Sequence, residues 1–160
     1  YKSDKLNNLF YLHKYPSYKE YISIQRNETE QGFNDIWADQ KTLYLVSRRL
    51  IKNLKKRENN KQEIKGCCHG CRNGFEVFEL RNLLKSNEII GTDISKKVKK
   101  IDGLEVWDFH KTKIKWKYYF DFIYTNSLDQ SIDPILALTT WLNQIKLDGL
   151  IFIGTKEIMG

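Results

Sequence analysis

The stretch GCCHGCRNGFEVFELRNLLKSNEIIGTD, from Gly66 to Asp93, decides how the rest of the chain is read. It passes from a strand end through a loop of small residues into an apolar helix, then into a second short strand that closes on an acid. A glycine loop lets backbone N–H groups at a helix start come close to a ligand, and an acid ending the next strand can accept two ribose hydroxyls. The order of parts is that of a nucleotide-cofactor half site.

Outward from this stretch the pattern continues. A strand is expected over 63–68 and a helix over 74–84, apolar at Phe75, Val77, Phe78, Leu80, Leu83 and Leu84 and so packed on more than one side. Further strands are expected over 88–94, 104–108 and 120–125, with a weak turn or helix over 96–100. Residues 111–118 alternate lysine with Thr112, Ile114, Trp116 and Tyr118, a period of two that predicts an extended segment with one wet face. Asp133 followed by Pro134 opens a helix, a capping side chain before a residue with no N–H to lose. Its buried stripe is expected at Leu138, Trp141, Leu142 and Ile145, and Leu147, Asp148 and Gly149 then turn the chain into a fifth strand over 150–153. Strands separated by helices or crossovers predict a doubly wound α/β fold with a mostly parallel sheet and its ligand beyond the carboxyl ends of the strands.

Upstream, residues 6–21 are aromatic and broken at Pro16, which predicts short helical or irregular pieces. Asp39 caps an amphipathic helix over 41–57 with Leu43, Val46, Leu50 and Leu54 on one stripe and Arg48, Lys52, Lys55 and Lys56 elsewhere. The polar connection around Glu58 to Lys61 divides the chain into a helical N-terminal cap, 1–62, and an α/β core, 63–160, within one compact domain.

The 160 residues carry a formal charge of +7, but the lysines are spread along the chain among many Asn and Ile. A solvated basic surface is therefore favoured over a nucleic-acid patch, for the whole chain and for 111–118 alike. No apolar run approaches the ~20 residues of a membrane span and no signal peptide opens the chain, so a cytoplasmic protein is expected. Cys67, Cys68, His69 and Cys71 are metal-ligand types, but four ligands within five residues cannot readily surround one ion tetrahedrally, and no second ligand pair occurs elsewhere. The cysteines are expected to be small packing groups under the loop, with no metal.

From Gly66 onward these motifs, in this order, resemble the class I S-adenosylmethionine-dependent methyltransferases, whose fold is Rossmann-like. Gly70, Cys71, Arg72, Asn73 and Gly74 stand where the family has G-x-G-x-G, with Arg72 in the middle place, and Cys68 stands where an acid usually precedes the loop. The resemblance implies a cofactor site made by Cys68, His69, Gly70, Arg72 and Gly74, by Asp93 and Ile94 at the ribose, by Asp108 and Phe109 at the adenine, and by Asn126 and Ser127 beneath. Arg72 is assigned to the cofactor's carboxylate, which a planar guanidinium holds well. Many small-molecule members carry a histidine where this chain has Gln130; an amide cannot take a proton, so neighbouring Asp129 is the candidate general base.

The implied activity is methyl transfer to a small molecule, with Gln25, Trp37 and the aromatics near Tyr11 on the acceptor side. The family sheet has seven strands and this chain stops after the fifth, so a sheet lacking the last two strands is expected, from a fragment or a reduced fold. Its exposed edge would let copies pair. A scaffold that keeps the fold without turnover is the rival outside the enzymes. An NAD-dependent dehydrogenase fits less well, because its loop needs G-x-G-x-x-G.

Overall fold

A computed structural model of the chain describes residues 2–5, 11–56 and 62–155. Two short strands, β1 (Lys2–Lys5) and β2 (Tyr11–Lys14), pair antiparallel and precede α1 (Tyr18–Gln31) and α2 (Gln40–Leu54). The remainder alternates β3 (Gly66–His69), α3 (Phe75–Leu84), β4 (Ile89–Asp93), β5 (Leu104–Val106), β6 (Phe120–Thr125), α4 (Pro134–Gln144) and β7 (Ile145–Ile153). These five strands form one parallel sheet in the order β5-β4-β3-β6-β7. The sheet is open, with β5 and β7 at its edges among the described residues.

The strand order reverses between β3 and β6, because the chain builds outward to β5 and then returns to the other side of β3. A crevice opens at such a switch point above the carboxyl ends of the strands. β3 and β6 are buried along their whole length, as expected for central parallel strands covered on both faces. One face is covered by α2 and α3, where Leu43, Val46, Leu50, Val77 and Leu80 meet Cys68, Phe122 and Tyr124. On the other, Trp141 and Ala137 of α4 and Trp116 meet Cys67 and Ile123. Thus α2, from the N-terminal segment, shares a core with the sheet and α3.

Four local expectations are corrected. The aromatic segment before Tyr21, expected as short helical or irregular pieces, holds a strand as well as a helix start, where Ser17 accepts from the Glu20 N–H and caps α1 directly after Pro16; the part of that segment at 6–10 lies outside the described residues, as does the polar connection at 58–61. Residues 111–118 are not extended, since Ile114–Trp116 is a single 3-10 turn with Ile114 98% exposed and Trp116 buried. The alternation came from lysines of which Lys111, Lys115 and Lys117 are exposed, while Lys113 lies over the Trp107 and Trp116 rings and pairs with Glu105. The buried stripe of α4 is Ala137, Thr140, Trp141 and Gln144, while Leu142 is exposed. β7 follows α4 without a separate turn, and a register irregularity against β6 between Phe120 and Phe122 absorbs the change of direction.

Candidate functional site

The carboxyl ends of β3, β4 and β6, with the segment after β5, open into one cavity of about 920 Å³. Its floor is the loop after β3, in which Gly70, Arg72 and Gly74 have φ of 67°, 49° and 80°. Left-handed residues at alternate positions turn the loop tightly onto the start of α3, and Arg72 takes that conformation at a cost a glycine would not incur. The loop is fixed to the neighbouring strand by Cys71 N–H donating to Thr92 O at 3.0 Å and Arg72 N–H donating to Asp93 Oδ2 at 2.8 Å. A side chain at Gly70 would come within 2.5 Å of Ser127 Oγ, the hydroxyl that donates to Gly70 O across the switch point.

Asp93 is buried at the end of β4, and its Oδ1 accepts from Ser95 N–H at 2.8 Å. Burial pushes its carboxyl above the ordinary range against the pull of the Ser95, Arg72 and Ile94 backbone N–H groups and the Arg72 charge. With one N–H on each oxygen, the carboxylate keeps lone pairs for two further donors.

Asp108 is held differently. Its Oδ2 accepts from the Tyr18 hydroxyl, and its Oδ1 accepts from the His110 backbone N–H at 3.0 Å with the His110 ring 2.8 Å away. Burial alone would raise its pKa, but the bonds from His110 and Tyr18 win and hold it at about 2. A histidine in a loop after a strand is ordinarily solvated. His110 is instead 5% exposed and bridges Asp108 to Ser131, 2.6 Å from its other ring nitrogen.

Helix α1 spans these strand ends from above. Tyr18 reaches Asp108 after β5, Arg26 Nε donates to Ile94 O after β4 at 2.9 Å, and Tyr21 OH donates to Gln130 O after β6 at 2.9 Å. The connection between α1 and α2 is clamped to the glycine loop, because Arg72 Nη1 donates to Gly32 O at 2.7 Å and Asn73 Nδ2 donates to Phe33 O at 3.0 Å. The Arg72 guanidinium also stands 3.6 Å from Asp35 and over the Trp37 ring.

Of the residues singled out in the sequence, Gly70, Arg72, Asp93, Ile94, Asp108, Phe109, Asn126, Ser127 and Asp129 line this cavity, as do Gln25 and Trp37. Two side chains do not reach it. Cys68 is fully buried in the core under α2 and α3, and His69 points to the opposite face. There the His69 ring nitrogens lie 2.7 Å from Thr92 Oγ1 and 2.8 Å from Gln144 Oε1, the ring stacks on Trp141, and burial lowers its pKa to about 4. Adjacent strand residues face opposite sides, so no more than one of this pair can share a face with a given neighbour. Gly74 starts α3 with its α-carbon towards Leu104 and shapes the loop from behind. Cys67, Cys68 and Cys71 are buried free thiols.

Sequence reasoning missed Tyr18, Tyr21 and Glu76. The tyrosines sit at the start of a 14-residue helix, in a segment expected to hold only short helical or irregular pieces. Glu76, one residue into α3, is buried and lines the cavity; its only sequence signal is an acid among apolar positions of α3. Six carboxyl groups therefore line the cavity, Asp35, Asp39, Glu76, Asp93, Asp108 and Asp129, and among the described residues Arg72 is the one cationic side chain.

This architecture is the class I methyltransferase fold. The chain is similar to the Burkholderia thailandensis 1,6-didemethyltoxoflavin-N1-methyltransferase, solved with S-adenosylhomocysteine, at a TM-score of 0.63 and 12% identity over 96% of this chain and 72% of that one. It is similar to the methyltransferase in complex with the Trm112 activator of Haloferax volcanii at 0.56 and 18%, over 79% of this chain and 59% of that one. The plantazolicin methyltransferase BpumL, solved with S-adenosylhomocysteine, gives 0.55 and 17%, over 84% of this chain and 51% of that one. The chain thus spans between half and three quarters of the length of these neighbours. No protein-family description and no curated protein sequence matches the chain. Among the described residues no helix is long and apolar enough to cross a membrane.

Proposed function

We propose that the chain binds S-adenosylmethionine across the ends of β3, β4 and β6 and directs its methyl group to a small-molecule acceptor. The observation that carries this reading is the charge of the cavity, six carboxyl groups and one guanidinium in a chain of formal charge +7. A dinucleotide would bring a pyrophosphate into that field. S-adenosylmethionine brings a sulfonium and an ammonium against a single carboxylate, so the field favours it.

The residues fit such a ligand. Asp93 has lone pairs left for two ribose hydroxyls, and Gly70 leaves room beside Ser127 that a side chain would fill. Phe109 offers a ring at the adenine end next to Asp108, and Asn126 and Ser127 support the other side of the loop. When bound, the cofactor supplies an electrophilic methyl group, so the chain's work is largely positioning and exclusion of water. Asp129, on the 3-10 turn after β6, is the group placed to hold a proton from the acceptor. Tyr21, Gln25 and Trp37 from the N-terminal segment form the acceptor side.

The cavity is at the upper end of the roughly 300–1,000 Å³ usual for small-ligand sites, room for a cofactor and a small partner. Neighbours named for a toxoflavin precursor and for plantazolicin agree with that scale. Three thiols with no disulfide suit a reducing compartment such as the cytoplasm.

Calorimetric titration with S-adenosylhomocysteine and, separately, NAD tests the reading. Micromolar binding of the first and none of the second is expected; the reverse, or binding of neither, overturns it. Cofactor binding with no labelled methyl transferred across a broad acceptor panel would favour the scaffold alternative over an enzyme.

A further inference from the structure

Glu76 is the buried carboxyl group in this cavity that, among the described residues, no other residue hydrogen-bonds. It is 7% exposed, lines the cavity at the first turn of α3, and among the described residues its one hydrogen-bond partner is its own backbone N–H. Burying a carboxyl group without a partner is costly, and a helix N-terminus offsets only a small part of that. Among the described residues the cation acting on Glu76 is Arg72, and it is already used, since it donates to Gly32 O and faces Asp35. The remaining groups around Glu76 are acidic or weakly acidic. Asp93 comes from β4, Cys68 from β3, Cys71 from the loop and Tyr124 from β6, with Asp35 and Asp39 lining the cavity from the N-terminal segment.

Resting on the reading above, we propose that the Glu76 carboxylate receives the α-ammonium of the cofactor's amino-acid end. An ammonium has three donors and no acceptor, so it satisfies a buried carboxylate without competing with the backbone bonds that hold Asp93. Arg72, which the sequence assigned to this end of the cofactor, is then a clamp for the α1–α2 connection. Without ligand, Glu76 is held at about 7, chiefly by burial. An ammonium beside it favours the ionised form, so binding below neutral pH drives a proton off Glu76.

The test uses two ligands that share the adenosine part, S-adenosylhomocysteine and 5′-methylthioadenosine, of which only the first carries the ammonium. At pH 6, titration of the wild-type chain in buffers of different ionisation enthalpy should show release of most of one proton with the first ligand beyond any seen with the second. At pH 8.5 that excess should vanish. Glu76→Gln should weaken S-adenosylhomocysteine at least tenfold at pH 8.5 and 5′-methylthioadenosine less than twofold. Equal proton release for the two ligands, or equal weakening of both, overturns the proposal while leaving the cofactor reading intact. If the wild-type chain binds neither ligand, the cofactor reading fails and takes this proposal with it. The wild-type proton count needs no variant, so a misfolded Glu76→Gln protein would not shield the proposal.

Discussion

Two buried titratable residues on opposite faces of the sheet pull stability in opposite directions with pH. His69 has its pKa lowered from 6.5 to about 4, chiefly by burial. The unfolded chain then takes up the proton first, so this contribution is full above pH 6.5 and is lost as pH falls towards 4. Glu76 has its pKa raised from 4.5 to about 7, so its contribution is full below 4.5 and is lost as pH rises to 7. Between pH 4.5 and 6.5 the two slopes oppose each other. Denaturant unfolding should therefore show Glu76→Gln more stable than wild type at pH 8, by roughly 3–4 kcal/mol at about 1.4 kcal/mol per pKa unit, with the gain gone at pH 4. No gain at pH 8 would mean that Glu76 is not buried uncompensated. Asp93 belongs to the same scale. Asp93→Asn should lower affinity for S-adenosylhomocysteine by tenfold or more in calorimetry, since an amide nitrogen cannot accept from a ribose hydroxyl; unchanged affinity would remove Asp93 from the site.

At the level of elements, α1 and the connection to α2 are held over the strand ends by a few long-range bonds. Arg72 and Asn73 grip the carbonyls of Gly32 and Phe33, and Tyr18, Tyr21 and Arg26 tie α1 to the segments after β5, β6 and β4. A charge-assisted bond such as that from Arg72 to Gly32 O contributes about 1.5–3 kcal/mol, and Arg72→Ala should lose a comparable amount. Hydrogen exchange of the amides in 28–35 should accelerate in that variant while those of β3 and β6 stay protected. Uniform acceleration across the sheet would contradict a local clamp.

Which elements could be read from the sequence follows from where their information lies. β6, the cap and start of α4, and the loop into α3 rest on local residues such as Phe120 to Thr125, Asp133, Pro134 and Gly74, and the structure has them where the pattern puts them. The buried face of α4 could not be read that way. It turns towards Ala137, Thr140 and Gln144 because Gln144 Oε1 meets the His69 ring, a pairing across 75 positions. His110 and Glu76 escaped for the same reason, since their burial is made by α1 and by the strands rather than by their own neighbours in sequence.

For the molecule as a whole, a chain of formal charge +7 holds a cavity lined by six carboxyl groups and one guanidinium. By simple electrostatics that contrast favours cationic ligands over anionic ones in the cavity. On the proposed function, the cofactor binds in the crevice at the β3–β6 switch point. A crystal structure of this chain with S-adenosylhomocysteine tests it most directly. The ligand is expected over the loop from Gly70 to Gly74, its ribose on Asp93, its adenine beside Phe109 and its ammonium on Glu76. Ligand density away from that loop, with Asp93 still facing only the Arg72 and Ser95 amides, would contradict it.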